Sequence, residues 1–233
     1  MEDSSLGRLI GVLISPEKTF RSIAERPTWV VALVVLVLLG TAVGYLVFQK
    51  LDMAEVISQS MADRGQQASD EELERATEMV ERFGWLGAMV GVLVIAPLAM
   101  FVFALILWVV FKLLGGEFSY QTSLSVTLHS LMPTAVSSLL SLPVIYSRET
   151  IGLEESQRGV LFSNLGALAP EDSGPALTAL LSSIDLFTIW TLVLLTIGFS
   201  IVGRVSKTAA GLTVVLLWVV YVLAKVGWVS IAG

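Results

Sequence analysis

The chain has 233 residues, of which 55% are hydrophobic and 15% charged, with a formal net charge of −6. Soluble domains carry about 25% charged residues, so this composition predicts an integral membrane protein. The negative charge argues against a nucleic-acid partner. The absence of cysteine excludes disulfides, thiolate nucleophiles and sulfur metal ligands. No stretch outside the apolar segments is long enough to fold alone, so residues 1–233 are expected to form a single domain.

Residues 1–27 are predicted to form a cytoplasmic arm of two short amphipathic helices. Apolar residues of the first helix fall on one face: Leu6, Leu9, Ile10 and Leu13. Ser15 and Pro16 form a start signal for the second helix, and Pro27 ends it. Two roles are open for this arm: a membrane-sensing or partner-docking element, or an anchor that fixes the first span.

Five long apolar segments follow, each near or above the roughly 20 residues that a helix needs to cross a bilayer. They are expected to span the membrane at about 28–48, 85–111, 120–146, 186–203 and 208–229. The predicted fold class is therefore all-α, a polytopic bundle of five transmembrane helices with interfacial amphipathic helices at the N-terminus and in an outer loop. Lys and Arg in the flanks predict a cytoplasmic N-terminus and an outer C-terminus, and no secretory signal peptide is expected.

Glycines recur at matched depths in the first two spans. Gly40 and Gly44, like Gly87 and Gly91, place small residues four positions apart, which allows helix backbones to approach closely. At a rise of 1.5 Å per residue, Gly44 and Gly87 fall about 5 Å below the outer face, and the other two about 10–12 Å below it. The sequence therefore predicts an antiparallel hairpin of these spans, packed through the four glycines.

The connection between these two spans is acidic and is predicted to lie outside. Ser69 and Glu72 form a capping-box pattern, and Glu71 is spaced for an ion pair with Arg75. The helix of the second span should therefore project several turns beyond the membrane, with an acidic face that either binds cations or is simply solvated. An interfacial helix is also expected in the third connection, at about 147–183.

Hydroxyl side chains form a stripe along the third span: Ser123, Thr127, Ser130, Thr134, Ser137 and Ser141. Hydroxyls do not favour hydrocarbon, so the stripe should face another helix or a wet cavity. His129, the only histidine, lies about 13 Å into this helix, where an ionisable group is a candidate for function. Two interpretations are open: packing, with a neutral imidazole hydrogen-bonded to a neighbouring helix, or a polar translocation path that uses His129, Ser130 and Glu117. Prolines are expected to bend the second and third spans: Pro97, Pro133 and Pro143.

Asp185 and Lys225 are predicted to meet at the outer interface. Asp185 precedes Arg204 by 19 residues, and Lys225 follows Lys207 by 18. Both separations correspond to about 27–29 Å of helix, one hydrocarbon thickness. The alternative is that Lys225 snorkels to the interface.

Motifs of catalysis are missing from the sequence. A single histidine and no cysteine exclude most metal-ligand clusters, and there is no His-Glu-x-x-His motif, phosphate-binding loop or redox motif. Segments 71–75 and 154–158 are similar to the Glu-Glu-x-x-x-Arg motif of intramembrane CAAX-type proteases. Their spacing is one residue short and both lie in outer loops, so this interpretation is rejected. Neither an enzymatic activity nor a cofactor nor a metal is expected.

Several segments occur in a defined order: Ser-Pro-Glu-Lys-Thr-Phe at 15–20, Glu-Arg-Pro at 25–27, Phe-Lys-Leu-Leu-Gly-Gly-Glu at 111–117, Pro133, Ile-Asp-Leu-Phe-Thr-Ile-Trp at 184–190, Gly198 and the cations of 204–207. Together they resemble the Yip1-domain family of five-span membrane proteins, in its short prokaryotic form, over nearly the whole chain. The resemblance implies a cytoplasmic N-terminus, an outer C-terminus and a bacterial cytoplasmic membrane. Eukaryotic members act in ER–Golgi vesicle traffic and bind Rab GTPases. This chain lacks their long soluble N-terminal region and the Asp-Leu-Tyr-Gly-Pro pattern, so GTPase binding is not carried over.

Two functional hypotheses follow. The leading one is a non-enzymatic membrane protein that organises lipid or recruits partners, with the arm as its cytoplasmic contact surface. The alternative is a small transporter or channel that uses the polar face of the third span. The expected partners are membrane lipid and either other membrane proteins or a second copy of this chain.

Overall fold

The computed structural model describes residues 4–63, 65, 69–170 and 173–232, which are almost entirely helical. In chain order the helices are α1 (Ser5–Ile14), α2 (Pro16–Glu25), α3 (Val30–Lys50), α4 (Met53–Asp63), α5 (Asp70–Val90), a π-helical turn (Gly91–Ile95), α6 (Ala96–Leu113), α7 (Tyr120–Ser130), α8 (Met132–Ser147), α9 (Leu153–Arg158), a 3₁₀ turn (Leu165–Leu168), α10 (Pro175–Ser182), α11 (Leu186–Gly203) and α12 (Lys207–Ala232). No strand occurs within these residues, and the predicted all-α class is confirmed.

Five helical stretches are long and apolar enough to cross a membrane. They are Val30–Lys50, Arg82–Leu113, Tyr120–Ser147, Leu186–Gly203 and Lys207–Ile231. Their bounds lie within a few residues of those expected from hydropathy. Below they are called the first to fifth spans.

The third and fourth spans form the centre of the bundle. In their most apolar stretches 44% and 50% of the residues are buried, against 11% in each of the other three spans. The fourth span, α11, contacts α2, α7, α8 and α12, whereas α3 packs mainly on α8. The first, second and fifth spans therefore present most of their apolar surface to the surroundings, as helices at a lipid boundary do.

Two prolines interrupt the regular helical hydrogen bonds. Pro97 follows the π-helical turn, where the Ala96 amide donates to the Gly91 carbonyl five residues back. Pro133 stands at the start of α8 and divides the third span at Leu131. Both effects arise because proline has no N–H to donate and its ring clashes with the preceding helical turn. Pro143 is accommodated inside α8.

The N-terminal arm, α1 and α2, packs into one end of the bundle rather than lying flat on its surface. Val12, Phe20 and Ile23 are fully buried in the same core as the spans. The predicted apolar face of α1 is divided between two environments, since Leu9 is buried in this core while Ile10 is 63% exposed. We call this end of the bundle the arm end, and the opposite end the far end.

The first two spans do pack together, but not through four glycines. A Cβ built on Gly40 or Gly44 would contact the methyl groups of Val92, at 3.5 and 3.3 Å. Gly87 and Gly91 have no atom within 4 Å of such a Cβ. The second span thus presents Val92, rather than Gly91, to the glycines of the first span. Val92 is the next residue after Gly91, and one residue along a helix corresponds to a rotation of about 100°, so the two positions face different directions.

Short helices cover the far end. Ser69 and Glu72 form the predicted capping box at the start of α5, which runs without a break into the second span. The pKa of Glu72 is lowered because its carboxylate accepts hydrogen bonds from the Ser69 amide and hydroxyl. In the third connection, where an interfacial helix was expected, α9, the 3₁₀ turn and α10 occur, and α10 packs on α12.

Candidate functional site: the arm and the buried face of the third span

Arg8 of α1 ties the arm to the start of the first span. Its side chain is buried, and its Nη1 donates to the Arg26 carbonyl at 2.7 Å and to Thr28 Oγ1 at 3.0 Å. Its Nη2 donates to Ser22 Oγ at 2.9 Å and to the Ser22 carbonyl at 3.4 Å. These acceptors are all neutral. A guanidinium remains charged in proteins, so the network holds a positive charge inside the arm end.

Thr28 connects this network to the third span. Its carbonyl accepts a hydrogen bond of 2.8 Å from Ser125 Oγ on α7. The Ser125 carbonyl in turn lies 2.8 Å from Nδ1 of His129. His129 is buried and bonded to its own helix, rather than to a neighbouring one as expected for packing. The structure therefore joins Arg8, Ser125 and His129 in one polar cluster at the arm end.

The second helix of the arm lies against the fourth span at Gly198. A Cβ at Gly198 would lie 3.2 Å from the Phe20 ring and 2.5 Å from Cγ1 of Val126 on α7. Side-chain carbon atoms do not pack this closely, so the position accepts only glycine without movement of a neighbour. Glycine thus allows α2, α7 and α11 to meet.

Glu17 at the start of α2 forms an ion pair with Lys207 at the start of α12. Both side chains are more than half exposed, so the pair acts as a surface link between the arm and the last span. The hydrogen bond from Lys207 and its positive charge lower the pKa of the Glu17 carboxyl.

The hydroxyl stripe of the third span is buried in its first half. Every residue from Thr122 to Ser130 is buried, and Ser123 Oγ donates to the Ala104 carbonyl at 2.8 Å. Thr127 and Ser130 have buried hydroxyl oxygens without a partner among the described residues. Farther along, Thr134 is exposed. The buried half faces packed helices, which agrees with the packing interpretation of the stripe.

Glu117 does not join this cluster. It is exposed in the connection before α7, whereas His129 is buried roughly 13 Å further along the helix from Tyr120. A path that combines Glu117 with His129 and Ser130 would therefore have to pass through a packed part of the bundle.

Asp185 and Lys225 do not form the predicted pair. Asp185 caps α11, with Oδ2 accepting from the amides of Phe187 and Thr188 at 2.8 and 3.1 Å. Lys225 Nζ instead donates to Ser183 Oγ at 3.1 Å and the Ala179 carbonyl at 3.3 Å. The prediction failed because a carboxylate at a helix N-terminus is satisfied by backbone amides, and a lysine is attracted to the carbonyls at the end of α10.

Sequence reasoning missed Arg8 and Ser125 as members of the cluster. A single arginine between apolar residues of α1 was available as a signal, because a cation in a short apolar helix is costly unless acceptors surround it. Ser125 lies off the hydroxyl stripe and contacts Thr28, 97 residues away in sequence, so no local pattern marks it.

Comparison with known proteins supports the assignment of a family. A 29% identical relative, described as Membrane protein YknW from Bacillus subtilis (strain 168), aligns over 220 residues, which are 92% of this chain and 87% of YknW. No solved structure matches this chain. The Yip1 domain profile matches residues 10–229, from α1 to the last span. The chain therefore belongs to the Yip1 domain family of membrane proteins.

Proposed function

We propose that this protein is a non-enzymatic organiser of membrane lipid, and that its arm is the contact surface. The observation that carries the proposal is the exposed side of α1, where Leu6, Ile10 and Ile14 are 66%, 63% and 75% exposed. These residues are spaced four apart and form one stripe along the helix. Apolar surface of this size is stabilised by removal from water, and lipid chains beside the bundle would provide that environment.

The fixed position of the stripe supports this role. On the other side of α1, Arg8 and Val12 are buried in the bundle, and Phe20 anchors α2 on Gly198. An arm held in this way cannot swing freely to search for a distant partner. The stripe therefore keeps a fixed position relative to the spans.

The arm end is proposed to face the cytoplasm of a bacterial cell. Cations cluster at this end, on the arm and in the short connections between spans: Arg8, Lys18, Arg21, Arg26, Lys112, Arg204 and Lys207. Short flanking segments rich in Lys and Arg remain on the cytoplasmic side of membranes. The C-terminus then lies outside.

A site-specific fluorophore tests where the stripe lies. The chain has no cysteine, so Ile10→Cys can be labelled alone with an environment-sensitive dye in vesicles. We expect blue-shifted emission that is quenched by spin-labelled lipid chains, and water-like emission from a control label at Glu25→Cys, an exposed residue. Blue-shifted emission without lipid quenching would show that a protein covers the stripe and would overturn the lipid assignment.

The effect on lipid can be measured with the same material. Leu6→Ser, Ile10→Ser and Ile14→Ser combined should abolish any change that the protein causes in the order of surrounding lipid, as reported by a lipid-order dye. The three side chains are exposed, so the thermal unfolding temperature should change little. Equal lipid order with the variant and the unaltered protein would contradict the proposal.

Transport along the third span is the competing function, and the unpartnered hydroxyls of Thr127 and Ser130 are the observation in its favour. It requires a wet path through residues that are buried between α2, α6 and α11. Flux through reconstituted vesicles that is lost on His129→Ala would establish transport and displace the proposal above.

A further inference from the structure

A charged cleft of about 600 Å³ opens at the far end of the bundle. Two carboxylates, Glu55 and Glu155, and two guanidinium groups, Arg148 and Arg158, are part of its lining. The described charged groups of the lining thus sum to zero, with both signs present. A cleft of this kind favours a ligand that itself carries one positive and one negative group.

The walls of the cleft are held by backbone contacts between distant parts of the chain. The Ile151 amide donates to the Lys50 carbonyl at 2.7 Å, and the Asp52 amide donates to the Ile151 carbonyl at 3.1 Å. Glu55 Oε2 accepts from the Leu153 amide at 3.3 Å. The end of the first span is therefore clipped to the segment that follows the third span, and the cleft lies between them.

Arg148 and Glu155 face each other across a single contact. Arg148 Nη2 lies 3.3 Å from Glu155 Oε1, and the two side chains are 44% and 34% exposed. A guanidinium has five N–H donors and a carboxylate can accept about four hydrogen bonds. Both groups consequently keep hydrogen-bonding capacity for a ligand.

The cleft is at the depth of lipid headgroups. Arg148 comes directly after Ser147, the last residue of the third span. Tyr146 is 76% exposed at the same level, and tyrosine is enriched at the interface between hydrocarbon and headgroups. Phe162, 86% exposed, belongs to the lining and offers apolar contact to lipid chains.

From these features we propose that the cleft binds a phosphoethanolamine group, the headgroup of a zwitterionic membrane lipid. Arg148 and Arg158 would contact the phosphate, and Glu55 and Glu155 would accept hydrogen bonds from the ammonium. The site deepens the proposed lipid-organising function by naming a lipid class. It rests on that function only in requiring a bilayer around the protein, because the arm lies at the other end of the bundle.

Native mass spectrometry of protein in mild detergent tests the site with three lipids: phosphatidylethanolamine, phosphatidylcholine and phosphatidylglycerol. Phosphatidylcholine has the same charges but no N–H on its cationic nitrogen, so it cannot donate to the carboxylates. A lost charge-assisted hydrogen bond corresponds to about tenfold weaker binding, which is the preference expected for phosphatidylethanolamine over phosphatidylcholine. Equal retention of these two lipids would overturn the proposal.

Two double variants sharpen the result. Glu55→Gln with Glu155→Gln makes the described lining net positive, so retention should shift from phosphatidylethanolamine towards anionic phosphatidylglycerol. The matched control is Glu74→Gln with Glu78→Gln, which removes the same number of negative charges from exposed residues on α5 outside the cleft and should retain the original preference. An unaltered preference in the first variant, at an unchanged unfolding temperature, would assign the lipid elsewhere and refute the site.

Soluble glycerophosphoethanolamine distinguishes the source of the group. If it displaces the lipid at millimolar concentration, the headgroup alone provides the recognition. Retention of the lipid under these conditions would show that its chains, next to Phe162, also contribute. A failure of the dye experiments on α1 with a positive result here would reject the arm function and leave the cleft intact.

Discussion

The ring of Phe20 in the arm lies directly on the backbone of Gly198 in the fourth span. A Cβ added to Gly198 would be 3.2 Å from the nearest ring carbon. Phe20 has no exposed surface, so the contact is completely enclosed. This relationship makes the arm part of the bundle core, so the arm does not behave as a flexible N-terminal tail.

Gly198→Ala should destabilise the protein by about 1–3 kcal/mol, the usual range for overpacking in a core. The new methyl group would overlap Val126 as well as Phe20. Gly227→Ala in the fifth span is the control, because nothing lies within 4 Å of its Cβ position. Thermal unfolding in detergent measures both, and equal stability of the two variants would contradict the enclosed contact.

Arg8→Ala should loosen the arm and cost about 3 kcal/mol, because it removes charged hydrogen bonds and leaves buried acceptors such as the Arg26 carbonyl unpaired. Arg8→Lys should recover only part of this loss, since an ammonium lacks the planar fork that reaches Ser22 and Thr28 together. Hydrogen exchange of α1 and α2 amides measures the loosening. Full recovery with lysine would show that charge alone holds the arm.

The link between Glu17 and Lys207 should weaken in acid. The pKa of the Glu17 carboxyl in the folded protein is depressed below its ordinary value of 4.5. The contribution of the ion pair to stability is therefore present above pH 4.5 and is lost as the pH falls through the pKa of Glu17 in the folded protein. Lys207→Gln should return the pKa of Glu17 towards 4.5, which carbon NMR of labelled glutamate can follow. An unchanged titration of Glu17 would exclude the pair, and the effect should shrink in high salt.

Asp185→Ala should destabilise the start of α11 by about 1–2 kcal/mol through loss of the N-cap. Asp185→Asn should retain most of the stability, because an amide oxygen can accept from the Phe187 amide in the same way. Exchanging the charges of Asp185 and Lys225 should give no rescue over the single changes. A clear rescue in thermal unfolding would indicate a direct pair, in place of the separate partners that Asp185 and Lys225 have in the structure.

The two glycine pairs should respond differently to enlargement. The Cβ of Gly44→Leu would press on Val92 and should destabilise the packing of the first two spans, whereas a Cβ at Gly91 has no atom within 4 Å, so Gly91→Leu should destabilise less. Unfolding temperatures of the two variants provide the comparison. Stronger destabilisation by Gly91→Leu would favour the pairing of glycines over the Val92 contact.

Local patterns in the sequence were sufficient for the five spans. Apolar runs of about 20 residues, close to the length that crosses a bilayer, determine the five spans, since every backbone group in lipid must be bonded within its own helix. The capping box at Ser69 was also predictable, because its residues are three positions apart and the bonds are local. The ordered segments from 15–20 to 204–207 correctly indicated the family.

Which surfaces meet was decided only by the tertiary structure. Helical periodicity places Leu9 and Ile10 near one face of α1, but the structure buries Leu9 together with Arg8, whose acceptors belong to α2 and to the segment between α2 and the first span. Matched depth brought Asp185 and Lys225 to one level, but depth does not fix rotation about the helix axis or the choice among competing partners. The contact of Gly44 with Val92 likewise depends on helix rotation. The cleft lined by Glu55 and Arg158 depends on contacts between residues about 100 positions apart, which no local pattern encodes.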